Sequence, residues 1–207
     1  CKGKRDIKVP LKLFRQLAAS YPVYCGNGNH ENRMVWERGL YGDLYEEYRD
    51  AMTAMGVHYL EDSWSMLGRD IRIAGLDLAP CFYRKALYQK VPSMPEGYME
   101  RKLGRGPSAC KKEPFTILLA HSPLYFDSYA RWGADLTLAG HFHGGTIRIP
   151  GLGGVMTPQY QFFLPWCAGD FERDGKRMIV SRGLGTHSIN IRLNNRPQLA
   201  LIRLKRA

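Results

Sequence analysis

The stretch that decides the fold runs from Phe115 to Gly145. It reads Phe115-Thr-Ile-Leu-Leu-Ala120, His121-Ser-Pro123, and then Ala134-Asp-Leu-Thr-Leu-Ala139, Gly140-His-Phe-His-Gly-Gly145. Each half is a short apolar run that ends in a polar cluster carrying histidine. Runs of this kind, apolar on both faces, predict strands buried on both sides. The spacing leaves room between them for one short helix, around Tyr125–Trp132. In open α/β sheets ligands bind beyond the carboxyl ends of the strands, because the chain reverses there and loop side chains converge.

The same rhythm extends outward. Pro22-Val-Tyr-Cys25 predicts a short buried strand, followed by a third polar cluster, Gly28-Asn29-His30-Glu31. Ile7, Leu11, Phe14 and Leu17 recur at helical spacing before it, and Leu44, Tyr48, Met52 and Met55 share a helical face after it, stopping at Gly56. Asp70–Ala74 alternates as a strand with one wet face does. Beyond Gly145 the chain becomes glycine-punctuated, with strands predicted at Thr146–Ile149, Arg177–Ser181, Ile189–Leu193 and Leu199–Leu204. The fold expected is a single α/β domain, a layered β-sandwich flanked by helices.

Composition narrows the function. With 44% hydrophobic and 24% charged residues the chain can bury a core, which excludes a disordered protein. Thirty Lys and Arg against 19 Asp and Glu give a net charge of +11, which draws the molecule to phosphates, nucleic acid or acidic lipid. Its apolar runs are a few residues each, far below the ~18 that span a bilayer. The five cysteines are scattered and form no CxxC pair, which excludes a disulfide framework and a thiolate zinc site. Residues 80–114 concentrate Lys and Arg between prolines and predict a basic surface insertion, read first as a solvated segment and second as an arm or lid that meets an anionic substrate or membrane.

Four of the six histidines fall in the three polar clusters; His58 and His187 do not. His141 and His143 flank one residue, so on an extended segment both point to one side and can serve two adjacent metal ions. Imidazole together with the hard amide oxygen of Asn29 favours Mn, Fe or Zn. The absence of cysteine from all three clusters disfavours a closed structural zinc site. Gly26, Gly28, Gly140, Gly144 and Gly145 allow the backbone to approach a phosphate closely.

Taken in order, Gly28-Asn-His-Glu31, Ala120-His-Ser-Pro123 and Gly140-His-Phe-His-Gly-Gly145 resemble the calcineurin-like metallophosphoesterase family. The flanks, residues 146–152 and Ser181-Arg-Gly-Leu-Gly-Thr186, resemble its bacterial membrane-associated branch, typified by the YkuE and YaeI phosphoesterases. The likeness covers roughly residues 7–206. It implies a binuclear centre of two divalent metal ions, with Asn29, His121 and His141 on one ion and His143 on the other. It also implies that His30 contacts the phosphate and protonates the leaving oxygen, a task suited to an imidazole because it exchanges protons near neutral pH. For Glu31 two readings stand, a partner that orients His30 or a simple solvated carboxylate; for Arg182 an exposed strand-end charge is preferred over a contact with the substrate anion.

The sequence departs from the family at one point. The family's Asp-x-His and Gly-Asp motifs, which supply the bridging aspartate and most ligands of the second metal, are absent. Gly42-Asp43 is rejected, because it follows the Gly28–Glu31 cluster and falls in a predicted helix. The expectation is therefore a metallophosphoesterase fold lacking its first strands. The implied function is hydrolysis of a phosphomonoester, phosphodiester or pyrophosphate, on a lipid-linked substrate, by a protein peripheral to or anchored at an anionic membrane. Two rivals stand beside it. One is a nuclease of the same fold, disfavoured because aromatics do not interleave with the basic run. The other is a catalytically incomplete scaffold that binds anionic lipid or a partner.

Overall fold

β5 (Phe115–Ala120) and β6 (Leu136–Ala139) form as predicted and lie side by side at the centre of a six-stranded sheet. The computed structural model describes residues 6–83, 92–107, 113–149, 151–157, 162–164, 166–185 and 192–205. The sheet adds β4 (Ile71–Leu76) and β3 (Ser63–Leu67) on one side of this pair, and β10 (Lys176–Val180) and β9 (Gly169–Arg173) on the other, in the order β3-β4-β5-β6-β10-β9. The four inner strands are parallel, and the two edge strands are antiparallel to their neighbours. All four inner strands therefore end on one side of the molecule, where His121, His141, Asp77 and Ser181 follow them.

Alternation along β5 sorts its side chains between two layers. Thr116, Leu118 and Ala120 are fully buried beneath α5 (Tyr98–Leu103), α6 (Phe126–Trp132) and the 3-10 turn Pro80–Tyr83, with Phe82, Met99, Tyr129 and Trp132 completing that core. Ile117 and Leu119 face the other way, toward a second layer of two parallel strands, β1 (Tyr24–Gly26) and β2 (His58–Leu60). Gly75 on β4 is what lets the layers meet. A Cβ there would lie 2.4 Å from the carbonyl oxygen of Leu60. The β-sandwich is real, but its second layer is two strands wide among the described residues.

Helices close the outside of that layer. α1 (Lys8–Ala18) and α4 (Leu44–Ala54) pack Leu11, Phe14, Tyr45, Tyr48 and Met52 against β1 and β2, and Gly56 takes the left-handed conformation (φ 81°) that ends α4. α2 (Asn29–Trp36) and α3 (Arg38–Tyr41) lie between them. Gly42 and Asp43 form the link between α3 and α4, rather than lying inside a helix, and the Asp43 carboxylate pairs with Arg38 in solvent.

Several expectations need correction. Leu199–Leu204 alternates like a strand but makes no ladder among the described residues; Leu199 and Leu201 are 85% and 95% exposed. Alternation supplies a face, but a strand also needs a neighbour's N–H and C=O groups. At Thr146–Ile149 only β7 (Arg148–Ile149) is regular, paired with β8 (Gly153–Gly154). β4 is not wet on one face, since the β1–β2 layer covers it. β3 and β9 were not foreseen: both are edge strands with largely exposed side chains, so burial leaves no apolar signature in them. Residues 189–191 of the strand expected at Ile189–Leu193 fall outside the described residues, as do Arg84–Val91 and Ser108–Lys112 of the basic segment. The described part of that segment is not all surface, because Phe82, Met99 and Leu103 are buried in the core under β4 and β5.

Candidate metal centre

Three strand ends deliver the site. β1 leads into Asn27 and Gly28, and α2 begins at Asn29 with Gly28 as its extended N-cap residue. Glu31 reaches back to accept the Gly28 N–H at 2.9 Å, which closes the first turn and fixes where Asn29 points. The Glu31 carboxylate is therefore engaged with Gly28, not with His30. Asn27 is buried and pins the loop from behind: its amide donates to the Tyr45 hydroxyl at 2.8 Å and its carbonyl accepts from Tyr59 at 2.5 Å.

His121 and His141 follow β5 and β6. Their loops are tied together by Gly140 N–H donating to His121 O at 3.1 Å, and the first is held to α6 by the buried Tyr129 hydroxyl, which donates to Ser122 O at 2.9 Å. The His121 and His141 rings lie 5.1 Å apart, with the Tyr83 ring 6.0 Å from the former and 5.2 Å from the latter. His121 Nε2 stands 3.0 Å from Asn29 Oδ1. As a hydrogen bond, this is Nε2–H donating to the amide oxygen. Two donors at right angles on a ~2.1 Å coordination shell stand about 3.0 Å apart too, so the pair also fits a chelate. Gly28 makes room for it, since a Cβ there would be 3.1 Å from the His121 ring. Burial pushes the His121 pKa down to about 3, reinforced by His30 and His143, so at neutral pH the ring is neutral and one of its nitrogens offers a lone pair.

The His141–His143 geometry departs from the extended segment predicted. β6 ends at Ala139, and both histidines adopt left-handed backbone, φ 65° and 50°, inside tight turns closed by Phe142 N–H to Gly140 O and Gly145 N–H to Phe142 O, each 2.7 Å. His141 is buried against Tyr83 and Phe142, whereas His143 lies toward Gly185, with Nδ1 3.2 Å from its carbonyl oxygen. Arg192 Nη2 meets the same Nδ1 at 3.3 Å; the carbonyl calls for a proton on Nδ1 and the guanidinium for a lone pair there, so these contacts alone do not fix the tautomer. Burial lowers the His143 pKa, with Arg192 and His30 adding to the effect against the Gly185 hydrogen bond. His30 stands exposed on the first turn of α2, within electrostatic reach of both His121 and His143.

Arg182 turns elsewhere: its backbone N–H and Nε both meet Gln198 Oε1 at 3.2 Å, and its aliphatic stem covers Gly144. His58 stacks on Tyr24 across the β1–β2 ladder at 4.5 Å, a structural role, and His187 lies outside the described residues. Residues the motifs did not reveal also shape the site. Asn195 is buried, and its amide donates to both His143 O and Gly145 O at 2.6 Å. Arg192 donates to Arg182 O at 3.0 Å and also reaches the carbonyl of Gly185. Asp77, at the end of β4, accepts from Asn32 at 2.5 Å, and burial raises its carboxyl pKa, reinforced by Asp62 and opposed by the Asn32 bond.

Among the described residues no three His, Cys, Asp or Glu side chains converge as a metal site. The donor set that does converge is mixed: one amide oxygen and two imidazoles. It fits one divalent ion, and only His143 is left for a second. Comparison with known proteins agrees with this chemistry. The chain is 29% identical over 199 residues to the uncharacterized metallophosphoesterase YkuE of Bacillus subtilis (strain 168), a match covering 94% of this chain and 60% of that protein. The chain is similar to that metallophosphoesterase. No family model and no solved structure matches the chain. The chain spans about 60% of the length of this curated relative.

Proposed function

We propose that the protein is a metal-dependent phosphoesterase and that Asn29, His121 and His141 hold one ion while His143 contributes to a second. The observation that carries this reading is the meeting of Asn29 Oδ1 and His121 Nε2 beside the His141 ring, from three separate strand ends. Divalent ions bound there would withdraw charge from the phosphoryl oxygens and lower the pKa of a bound water toward neutrality. The chain's own groups do the rest. His30, exposed next to Asn29, gives a proton to the departing ester oxygen. Tyr83 and Phe142 wall His141 off from water, which strengthens every charge interaction made there.

The test is hydrolysis of an aryl phosphodiester with added Mn by the full-length protein and by its His30→Ala and His141→Ala variants. Both should fall by about two orders of magnitude or more; unchanged turnover in both would remove the assignment.

A lipid-linked substrate at an anionic membrane is part of the same proposal. It is supported by the +11 charge and by α1, whose Val9, Leu13 and Leu17 form an exposed apolar ridge beside Lys8 and Lys12. No described helix is long and apolar enough to cross a membrane, so this contact would be peripheral in the described region. Salt-sensitive co-sedimentation with anionic vesicles is the expected result, and equal binding to neutral vesicles would count against it.

A further inference from the structure

One face of α2 continues away from the metal-ligand end. Asn29, Asn32, Arg33 and Trp36 follow the i, i+3, i+4, i+7 spacing and line a cleft of about 300 Å³, whose opposite wall is Pro80 and Tyr83. At 1.5 Å per residue, Trp36 lies about 10 Å along the helix from Asn29. The cleft thus begins at a candidate ligand and ends at an indole that is 68% exposed.

Its chemistry differs from that of the metal end. Arg33 Nε is bonded to Glu37 at 2.8 Å, so the cation on this wall is matched by a carboxylate and the cleft does not form a second anion site. Beside the Asn29 and Asn32 amides, the rest of the lining is flat and apolar: an indole, a proline ring and a phenol ring. A reach of about 10 Å suits a ring system and is short for an extended acyl chain.

We propose that this cleft binds a planar aromatic or heteroaromatic group of the substrate, stacked by Trp36, while the phosphate sits at Asn29, His121 and His141. This rests on the phosphoesterase reading, since it is the phosphate that anchors the ring beside Trp36. Trp36 acts here as a specificity residue; it does not reach the reacting atoms.

The experiment measures binding of two phosphonates, 1-naphthyl and methyl, to the Mn-loaded full-length protein by calorimetry, alongside its Trp36→Ala and Trp36→Phe variants. Hydrolysis of an aryl phosphodiester is followed in the same samples. Trp36 is exposed, so both variants should fold. The naphthyl compound should bind about ten-fold more tightly than the methyl one, an advantage lost in Trp36→Ala and largely kept in Trp36→Phe. Equal preference in wild type and Trp36→Ala overturns the proposal, as does no preference or no binding of either compound. Hydrolysis without the naphthyl preference removes the cleft and leaves the enzyme reading standing. A Trp36-dependent preference without hydrolysis removes the enzyme reading and leaves the cleft.

Discussion

Asn29, His121 and His141 stand within three residues of the ends of β1, β5 and β6, whereas His143 lies further on, held through its carbonyl by Asn195 and beside Gly185 by its imidazole. The first group inherits its geometry from ladders: parallel strands fix where each chain emerges, and short loop bonds fix the rest. The second depends on side chains that arrive from about 50 residues later. Half of the site is thus placed by the sheet and half by a clamp, and the two should fail differently.

The largest effect expected is on metal content. His141→Ala should lose tightly bound Mn altogether, and with it a factor of about 10² to 10³ in turnover, whereas His143→Ala should keep about one equivalent. Mass spectrometry of the metal-loaded proteins measures this, and the reverse order would break the comparison. Next comes Asn195→Asp, which replaces a buried double donor with a carboxylate facing two carbonyl oxygens. It should weaken the second Mn about 10- to 100-fold while leaving the first in place, and should cost roughly 1–3 kcal/mol of stability or more in thermal melts. Loss of both ions together would show that the clamp serves the whole site.

Gly28→Ala probes the ladder half by sterics alone. Its φ of −108° suits any residue, but the new Cβ would press on the His121 ring and on the Glu31 carboxylate. A drop in first-site Mn affinity of up to about ten-fold is expected, with the melting temperature nearly unchanged; unaltered affinity would mean the Asn29–His121 pair tolerates displacement.

The smallest effect is at Asp77, which is outside both halves. Burial raises its pKa, so between its unfolded and folded values the native state binds more protons than the unfolded chain. Stability is therefore highest below the ordinary carboxylate range and declines as pH rises through the folded pKa. Asp77→Asn should raise the melting temperature slightly at pH 7, with no gain at about pH 3. A gain at both pH values would place its cause in packing instead of charge.

How much was legible follows the same division. The apolar runs Phe115–Ala120 and Ala134–Ala139, the helices at residues 7–20 and 44–55 and the three histidine clusters could be read because burial on a regular element leaves a period in the sequence. β3 and β9 could not, because an edge strand with exposed side chains leaves none. Nor could Tyr83, Asn195 or the cleft at Trp36, whose roles come from contacts across the fold.

The sequence alone determined the chemistry on offer: which strand ends carry imidazole and amide, how positive the molecule is, and which family it resembles. Only the tertiary structure decided that His141 and His143 do not share an extended segment. It also brought Asn29 Oδ1 to 3.0 Å from His121 Nε2 and narrowed the second sandwich layer to two strands among the described residues. The physical reason is that periodicity encodes which face of an element is buried, whereas the approach of donors from distant elements depends on how those elements pack, which no local pattern records.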